Sequence, residues 1–267
     1  MNYCGAAFFD YDGTLSDEEL GIYYPTKKTV DAICNLQSKG FFVCLSTGRA
    51  KCYAPKCDIN FDGYITSNGA YAEICEMPVF KNVFSKELYT EVAEFFKSRN
   101  IYYSVETQEC CYALDKNNEN FRTMIENFNI PSEIFYPIEQ ADLNNVFKML
   151  AAYNTEEDFD KMQKQFKGRL TFDKHRFFPS ADVTVSGITK ANGVLAICKE
   201  LGIKKENTYA FGDGTNDIDM LKSVGHSVAM GISPESVKAA AEFVTNSVKD
   251  EGIYNALLKL ELIDKNI

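Results

Sequence analysis

The 267-residue chain lacks the marks of several functional classes. It has no long run of basic residues and a formal net charge of −10, so a nucleic-acid backbone would meet net repulsion. No stretch approaches the roughly 18 consecutive apolar residues of a membrane-spanning helix, and no basic region followed by a signal-type apolar segment opens the chain. Neither a nucleic-acid nor a membrane partner is expected, and the sequence names no oligomeric partner. Histidine is scarce. His175 and His226 are the two present, and neither belongs to a Ser or Cys nucleophile motif, although His175 stands where it is able to touch a substrate. The nine cysteines form no CxxC pair. Cys52 and Cys57, and the adjacent Cys110 and Cys111, have no histidine nearby, which argues against zinc. Cys34, Cys44 and Cys198 fall in apolar runs where a thiol serves as a small hydrophobe. Reduced thiols predict a cytoplasmic protein. Internal repeats and low-complexity segments are also missing.

What is present is the composition of a soluble globular protein, with 45% hydrophobic and 25% charged residues. The apolar run Cys4 to Phe9 ends in Asp-Tyr-Asp-Gly and predicts a buried strand followed by a loop. Thr26 to Lys39 places Val30, Ile33, Cys34 and Leu36 on one helical face, and a second apolar strand, Phe41 to Leu45, follows Gly40. Buried strands joined by a helix are the unit of a parallel α/β sheet, whose ligands collect at the carboxyl ends of the strands. The pattern returns late, with a helix over Lys190 to Leu201, strands at Thr208 to Phe211 and Ser227 to Met230, and helices after Asn216 and from Pro234. Between these parts, helices at 86–99 and 156–166 and strand-like runs at 101–105, 112–114, 146–152 and 170–172 predict an α+β module inserted into the α/β domain. The expected boundaries are 1–82 and 186–267 for the α/β core and 83–185 for the insertion.

Two acidic clusters stand at predicted strand ends. Asp10 and Asp12 lie two residues apart after the first strand, and two carboxylates so close call for a cation. An EF-hand loop is excluded, because its sixth and twelfth positions would be Leu15 and Gly21 rather than Gly and Glu. Gly212-Asp213-Gly214-Thr215-Asn216-Asp217 begins like a dinucleotide-binding fingerprint but has Asp217 where the third glycine belongs. Carboxylate pairs without His or Cys suit magnesium. Thr47-Gly48-Arg49, after the second strand, and Lys190, at a helix start, offer a hydroxyl, backbone amides and an ammonium to a phosphoryl group.

These four segments, in this order, resemble the motifs of the haloacid dehalogenase (HAD) superfamily of phosphohydrolases. Its DxDG[TV] motif is met by Asp10-Tyr11-Asp12-Gly13-Thr14, its Ser/Thr motif by Thr47, its lysine by Lys190, and GDxxND by Gly212 to Asp217. The long interval between Thr47 and Lys190 and the Ser67-Asn68-Gly69-Ala70 run are similar to the Cof-type subfamily. Ala191, where that subfamily has glycine after the lysine, is a departure at the turn before the helix. The resemblance implies a Rossmann-like parallel-sheet core with an inserted α/β cap, and a magnesium-dependent phosphatase acting on a small phosphorylated metabolite such as a sugar phosphate. It further implies Asp10 as nucleophile and Asp12 as general acid and base. Magnesium would be held by Asp10, the Asp12 backbone carbonyl, Asp213 and Asp217, and phosphate by Thr47, Gly48, Lys190, Asn216 and the Tyr11 amide. Cap residues such as Arg122 and Arg176 would then influence substrate choice. Two alternatives share these motifs: a sugar phosphomutase of the phosphomannomutase type, and a catalytically silent binding protein on the same fold.

Overall fold

The computed structural model describes residues 3–128, 130–175 and 178–265. Its chain divides into two compact units, one of residues 1–48, 55–81 and 189–267, the other of residues 49–54 and 82–188. The short 49–54 segment, which the sequence placed with the core, groups with the second unit.

The first unit is built on an eight-stranded sheet. Its strands run, from edge to edge, Phe243–Val244, His226–Ala229, Thr208–Gly212, Gly5–Phe9, Phe41–Ser46, Gly63–Thr66, Tyr71–Ile74 and Met77–Lys81. All neighbours are parallel up to Gly63–Thr66, after which the last two strands return antiparallel. Gly5–Phe9 is buried along its whole length, as a central parallel strand covered on both faces must be. Alternation along it divides two cores. Ala7 and Phe9 join Val43, Leu45 and Phe211 beneath helices Lys27–Ser38 and Gly252–Lys259, through Ile33, Leu36 and Leu257. Ala6 and Phe8 join Phe42, Cys44 and Ala210 beneath Lys190–Leu201 and Ile218–Ser223, through Val194, Ile197 and Leu221. Helix Lys27–Ser38 starts where the Thr26 hydroxyl accepts from the Thr29 N–H at 3.1 Å. The Phe9 and Phe211 rings stack at 4.6 Å between centroids, which helps hold the two central strands in register.

The register positions the chemistry. Phe9 lies opposite both Leu45 and Phe211, so Asp10, Ser46 and Gly212 are the next residues on three adjacent parallel strands. The Asp10 N–H donates to the Phe211 carbonyl at 2.9 Å, which extends the ladder by one bond before the chain turns away.

In the second unit a six-stranded sheet runs Leu170–Lys174, Ser180–Val185, Lys148–Ala152, Tyr102–Glu106, Cys111–Ala113 and Phe135–Pro137, antiparallel except for the last pair. Helices Lys86–Ser98 and Glu156–Gln165 cover one face through Val92, Phe96, Phe159 and Met162. Helix Glu119–Asn127 covers part of the other through Phe121 and Met124. The rest of that second face is polar and buried. Lys148 pairs with Glu106 at 3.2 Å and with Asp182 at 3.0 Å, while the Tyr53 hydroxyl donates to Glu106 at 2.8 Å.

Candidate active site

Three carboxylates and one ammonium converge at the carboxyl ends of the central strands. Lys190 Nζ donates to Asp10 Oδ1 and to Asp217 Oδ1, each at 2.6 Å, and its side chain is wholly buried. Each partner is placed by a different local device. Asp10 is the last residue to bond into the sheet. Lys190 is the first residue of its helix, whose start is closed by the Asn192 Oδ1 accepting from the Thr189 N–H at 2.8 Å. That bond closes the turn before the helix through Asn192, two residues past the lysine. Asp217 sits in the short helical turn 215–217, and its second oxygen accepts from the Asp213 and Gly214 N–H groups at 3.0 and 2.9 Å. Those two bonds pin the GDGTND loop by its own carboxylate. Asp213 is held from the first loop, because the Thr14 hydroxyl donates to Asp213 Oδ1 at 2.9 Å.

Electrostatics follow from burial. Desolvation raises the Asp10 carboxyl well above its ordinary value and the charge of Asp217 adds to this, with Lys190 acting in the opposite sense. Burial, then the charge of Asp217, pushes Asp213 up to about 7. For Lys190, burial works against the charge, but Asp10 and Asp217 outweigh it and hold the ammonium protonated. The cluster is therefore short of positive charge. Ligand oxygens of Asp10, Asp213 and Asp217 lie within 4.8 Å of one another, and among the described residues no other group of three or more His, Cys, Asp or Glu side chains meets that spacing. An all-oxygen, electron-rich and largely buried donor set fits magnesium better than zinc. Both oxygens of Asp217 are engaged by Lys190 and the loop, whereas Lys190 takes one oxygen of Asp10 and Thr14 one oxygen of Asp213.

The other sequence candidates take distinct places. Asp12 is exposed and outside that carboxylate group, though its charge reaches Asp10. Tyr11 is buried, and its hydroxyl donates to the Tyr23 carbonyl at 2.9 Å. Thr47 is buried at the end of its strand, with its N–H on the Ile65 carbonyl at 2.8 Å, and Gly48 follows it. Asn216 is exposed, and its Nδ2 donates to Asn68 Oδ1 at 3.1 Å. His226 pairs with Glu242 at 3.0 Å on the first unit, and His175 lies 3.5 Å from Asp182 in the second. Arg122 is exposed on its helix, and Arg176 lies outside the described residues. Cys52 and Cys111 bring their sulfurs to 3.7 Å, a pairing that neither spacing in the sequence suggests. Thr14 is the site residue whose role the sequence leaves unstated: within the first motif it reads as turn chemistry, and its link to Asp213 spans 199 residues.

The haloacid dehalogenase-like hydrolase family model matches residues 7–257. A solved HAD subclass IIB sugar phosphatase is similar over 97% of this chain and 100% of its own, with 31% identity and a TM-score of 0.81. A Bacillus subtilis 5-amino-6-(5-phospho-D-ribitylamino)uracil phosphatase is 28% identical over 264 residues, 93% of this chain and 92% of the relative. The chain spans 54% of a Streptococcus pyogenes relative named for phosphatase and peptidyl-prolyl cis-trans isomerase activities, 28% identical over 264 residues and 97% of this chain. Taken with the converging Asp10, Lys190 and Asp213–Asp217 segments, the match places this chain in the haloacid dehalogenase-like hydrolase family, in the Cof-type branch whose relatives carry phosphatase names.

Proposed function

We propose that the protein hydrolyses a small phosphate monoester, with a sugar-like leaving group, through a phospho-aspartate at Asp10. The observation that carries this reading is the buried Asp10–Lys190–Asp217 ion cluster with Asp213 beside it. Asp10 uses a carboxylate oxygen to attack phosphorus, and the bond to the leaving oxygen breaks as Asp12 gives that oxygen a proton. Asp12, now a carboxylate, takes a proton from water. The water oxygen attacks phosphorus, inorganic phosphate leaves, and Asp10 is restored. Lys190 serves two ends: it holds Asp10 in place with its charge intact, and it offers an N–H to a non-reacting phosphate oxygen. Thr47, the amides of Tyr11 and Gly48, and the Asn216 carboxamide supply further donors to those oxygens. Asp217 orients Lys190 and the loop that carries Asp213.

Asp10, the Asp12 backbone carbonyl, Asp213 and Asp217, the last directly or through water, would hold magnesium, which would offset the repulsion between the carboxylate and the phosphate. The sugar-like leaving group is inferred from relatives, one named a sugar phosphatase and one a phosphatase of a phosphoribitylamino compound. The second unit, which interrupts the chain between Thr47 and Lys190, is assigned the choice of leaving group. A cytoplasmic setting is inferred from nine cysteines that are all free.

The test is Asp10→Asn, which keeps shape and removes the nucleophile. Turnover of a panel of sugar phosphates, read as released phosphate, should vanish while the melting temperature stays near wild type. A folded variant with kcat near wild type would sink the covalent reading.

A further inference from the structure

The Ser67-Asn68-Gly69 turn, between the antiparallel strands Gly63–Thr66 and Tyr71–Ile74, takes no part in the mechanism above, yet it is the most strained backbone near the site. Its three residues have consecutive positive φ values of 52°, 55° and 93°, and all three are buried. Left-handed backbone disfavours every residue except glycine, and asparagine tolerates it better than most. A two-residue hairpin would join these strands without such strain at serine. Strain of this kind persists where surrounding contacts hold it, and these contacts point to the phosphoryl end of the site.

Three of the four motif segments touch the turn. The Asn68 N–H donates to the Thr47 carbonyl at 3.4 Å, and a Cβ built on Gly48 would stand 2.8 Å from Asn68 Oδ1. In a trans peptide the carbonyl and the following N–H point in opposite directions, so turning the Thr47 carbonyl toward Asn68 aims the Gly48 N–H away from the turn. The Asn68 side-chain oxygen accepts one N–H of the Asn216 carboxamide at 3.1 Å. That contact fixes which way the carboxamide faces and leaves its second N–H for another acceptor. Gly69 closes the third side, since a Cβ there would fall 2.0 Å from the Thr189 carbonyl and 2.7 Å from the Lys190 nitrogen.

We propose that Asn68 is a positioning residue of the phosphoryl cradle, holding the Asn216 carboxamide by its side-chain oxygen and the Thr47–Gly48 peptide by its N–H. The assignment rests on the phosphatase reading above, in which Gly48 and Asn216 are phosphate donors. Donors set before the phosphate arrives need no reorganisation in the transition state, so the loss should fall on kcat more than on KM.

The decisive variant is Asn68→Gly, which suits the left-handed backbone, keeps the N–H and removes only the side chain. Its melting temperature should equal or exceed wild type, while kcat for a sugar phosphate falls about tenfold or more with KM changed less than about threefold. Asn68→Ala should lose the same kcat and also lose stability, because alanine is strained there. In a cycle with Asn216→Ala, adding Asn68→Gly should lower kcat by less than about twofold, because the side chain acts through Asn216. The proposal is overturned if Asn68→Gly keeps kcat within about twofold, if kcat losses follow melting temperature across the Gly and Ala variants, or if the two substitutions multiply. Asp10→Asn is measured alongside. If it retains turnover the covalent reading fails, whereas an inactive Asp10→Asn with a multiplicative cycle removes the Asn68 assignment alone.

Discussion

Replacing Lys190 with methionine removes the one charge that two buried carboxylates share. The ammonium stands 2.6 Å from each. At an effective dielectric near 20, each contact carries roughly 6 kcal/mol of Coulomb attraction, most of it offset by the cost of burying the ions. What the substitution exposes is the uncompensated remainder, about 3–5 kcal/mol when one partner of a buried pair is deleted. The fold has a way to relieve it. Burial and Asp217 already raise the Asp10 carboxyl, so without the lysine Asp10 takes up a proton and the repulsion ends. A protonated Asp10 is no nucleophile, and the phosphate has also lost a donor, a loss that costs on the order of 10²–10³ in kcat where it has been measured in other sites. We therefore expect Lys190→Met to remain folded and to lose about 10³-fold in kcat for every phosphate ester, with no change in substrate ranking. Its acid limb should also move to higher pH: a carboxyl whose pKa rises must be deprotonated again before it attacks. The assay is kcat against pH from about 5 to 9 at saturating magnesium, for a sugar phosphate and a chromogenic ester, with thermal melts at each pH. A folded variant within about tenfold of wild-type kcat, or one whose acid limb does not shift, would refute the assigned role.

Exhaustive chelation should abolish turnover and magnesium should restore it, whereas calcium, with its looser and higher coordination, should inhibit by occupying both oxygens of Asp10. Phosphate release after dialysis against chelator checks this, and undiminished activity there would remove the metal from the mechanism. Crystals grown with beryllofluoride, a phosphoryl mimic, should show it bonded to Asp10, and density on any other side chain would count against the nucleophile. Asp182 bears on stability. Burial opposes its charge, but Lys148 and His175 more than compensate and hold its pKa below the ordinary value, so its contribution is complete above about pH 4 and is lost as pH falls toward the folded pKa. The stability gap between wild type and Asp182→Asn, measured by urea unfolding, should shrink by about 1–3 kcal/mol as pH drops below about 4, and a pH-independent gap would contradict the ion-pair account.

Much of the first unit was legible because its signals are local. Gly5–Phe9 and, up to Leu45, Phe41–Ser46 are unbroken apolar runs, as strands covered on both faces must be, and the groups of the site follow them within a residue or two. Helix Lys190–Leu201 has the bounds its periodicity predicts. The strands and helices that escaped the sequence show what such signals leave out. Helix Glu119–Asn127 buries only Phe121 and Met124, too few for a clear stripe. Strand Ser180–Val185 carries Asp182 and Thr184 at buried positions, which by composition belong at the surface.

The buried charges of the second unit explain why that part of the molecule was harder to anticipate. Lys148 is 3% exposed and Glu106 2% exposed, and a lysine or glutamate met in sequence is normally assigned to solvent. Each becomes tolerable inside only through a partner set by strand register: Glu106 lies directly opposite Lys148 on the neighbouring strand, and Asp182 reaches the same ammonium from the strand on its other side. No spacing along the chain encodes that meeting, since 42 residues separate the first pair and 34 the second. Asp10 and Asp217 are also buried, and lie 180 and 27 residues from Lys190, yet the sequence singles them out, because each lies in a compact motif at the end of an apolar strand. A buried charge is therefore legible when the adjoining backbone announces the site and silent when only a lateral neighbour does. Asn68 falls between the two cases: its run was visible in the sequence, but its contacts with Thr47 and Asn216 required the sheet to be assembled first.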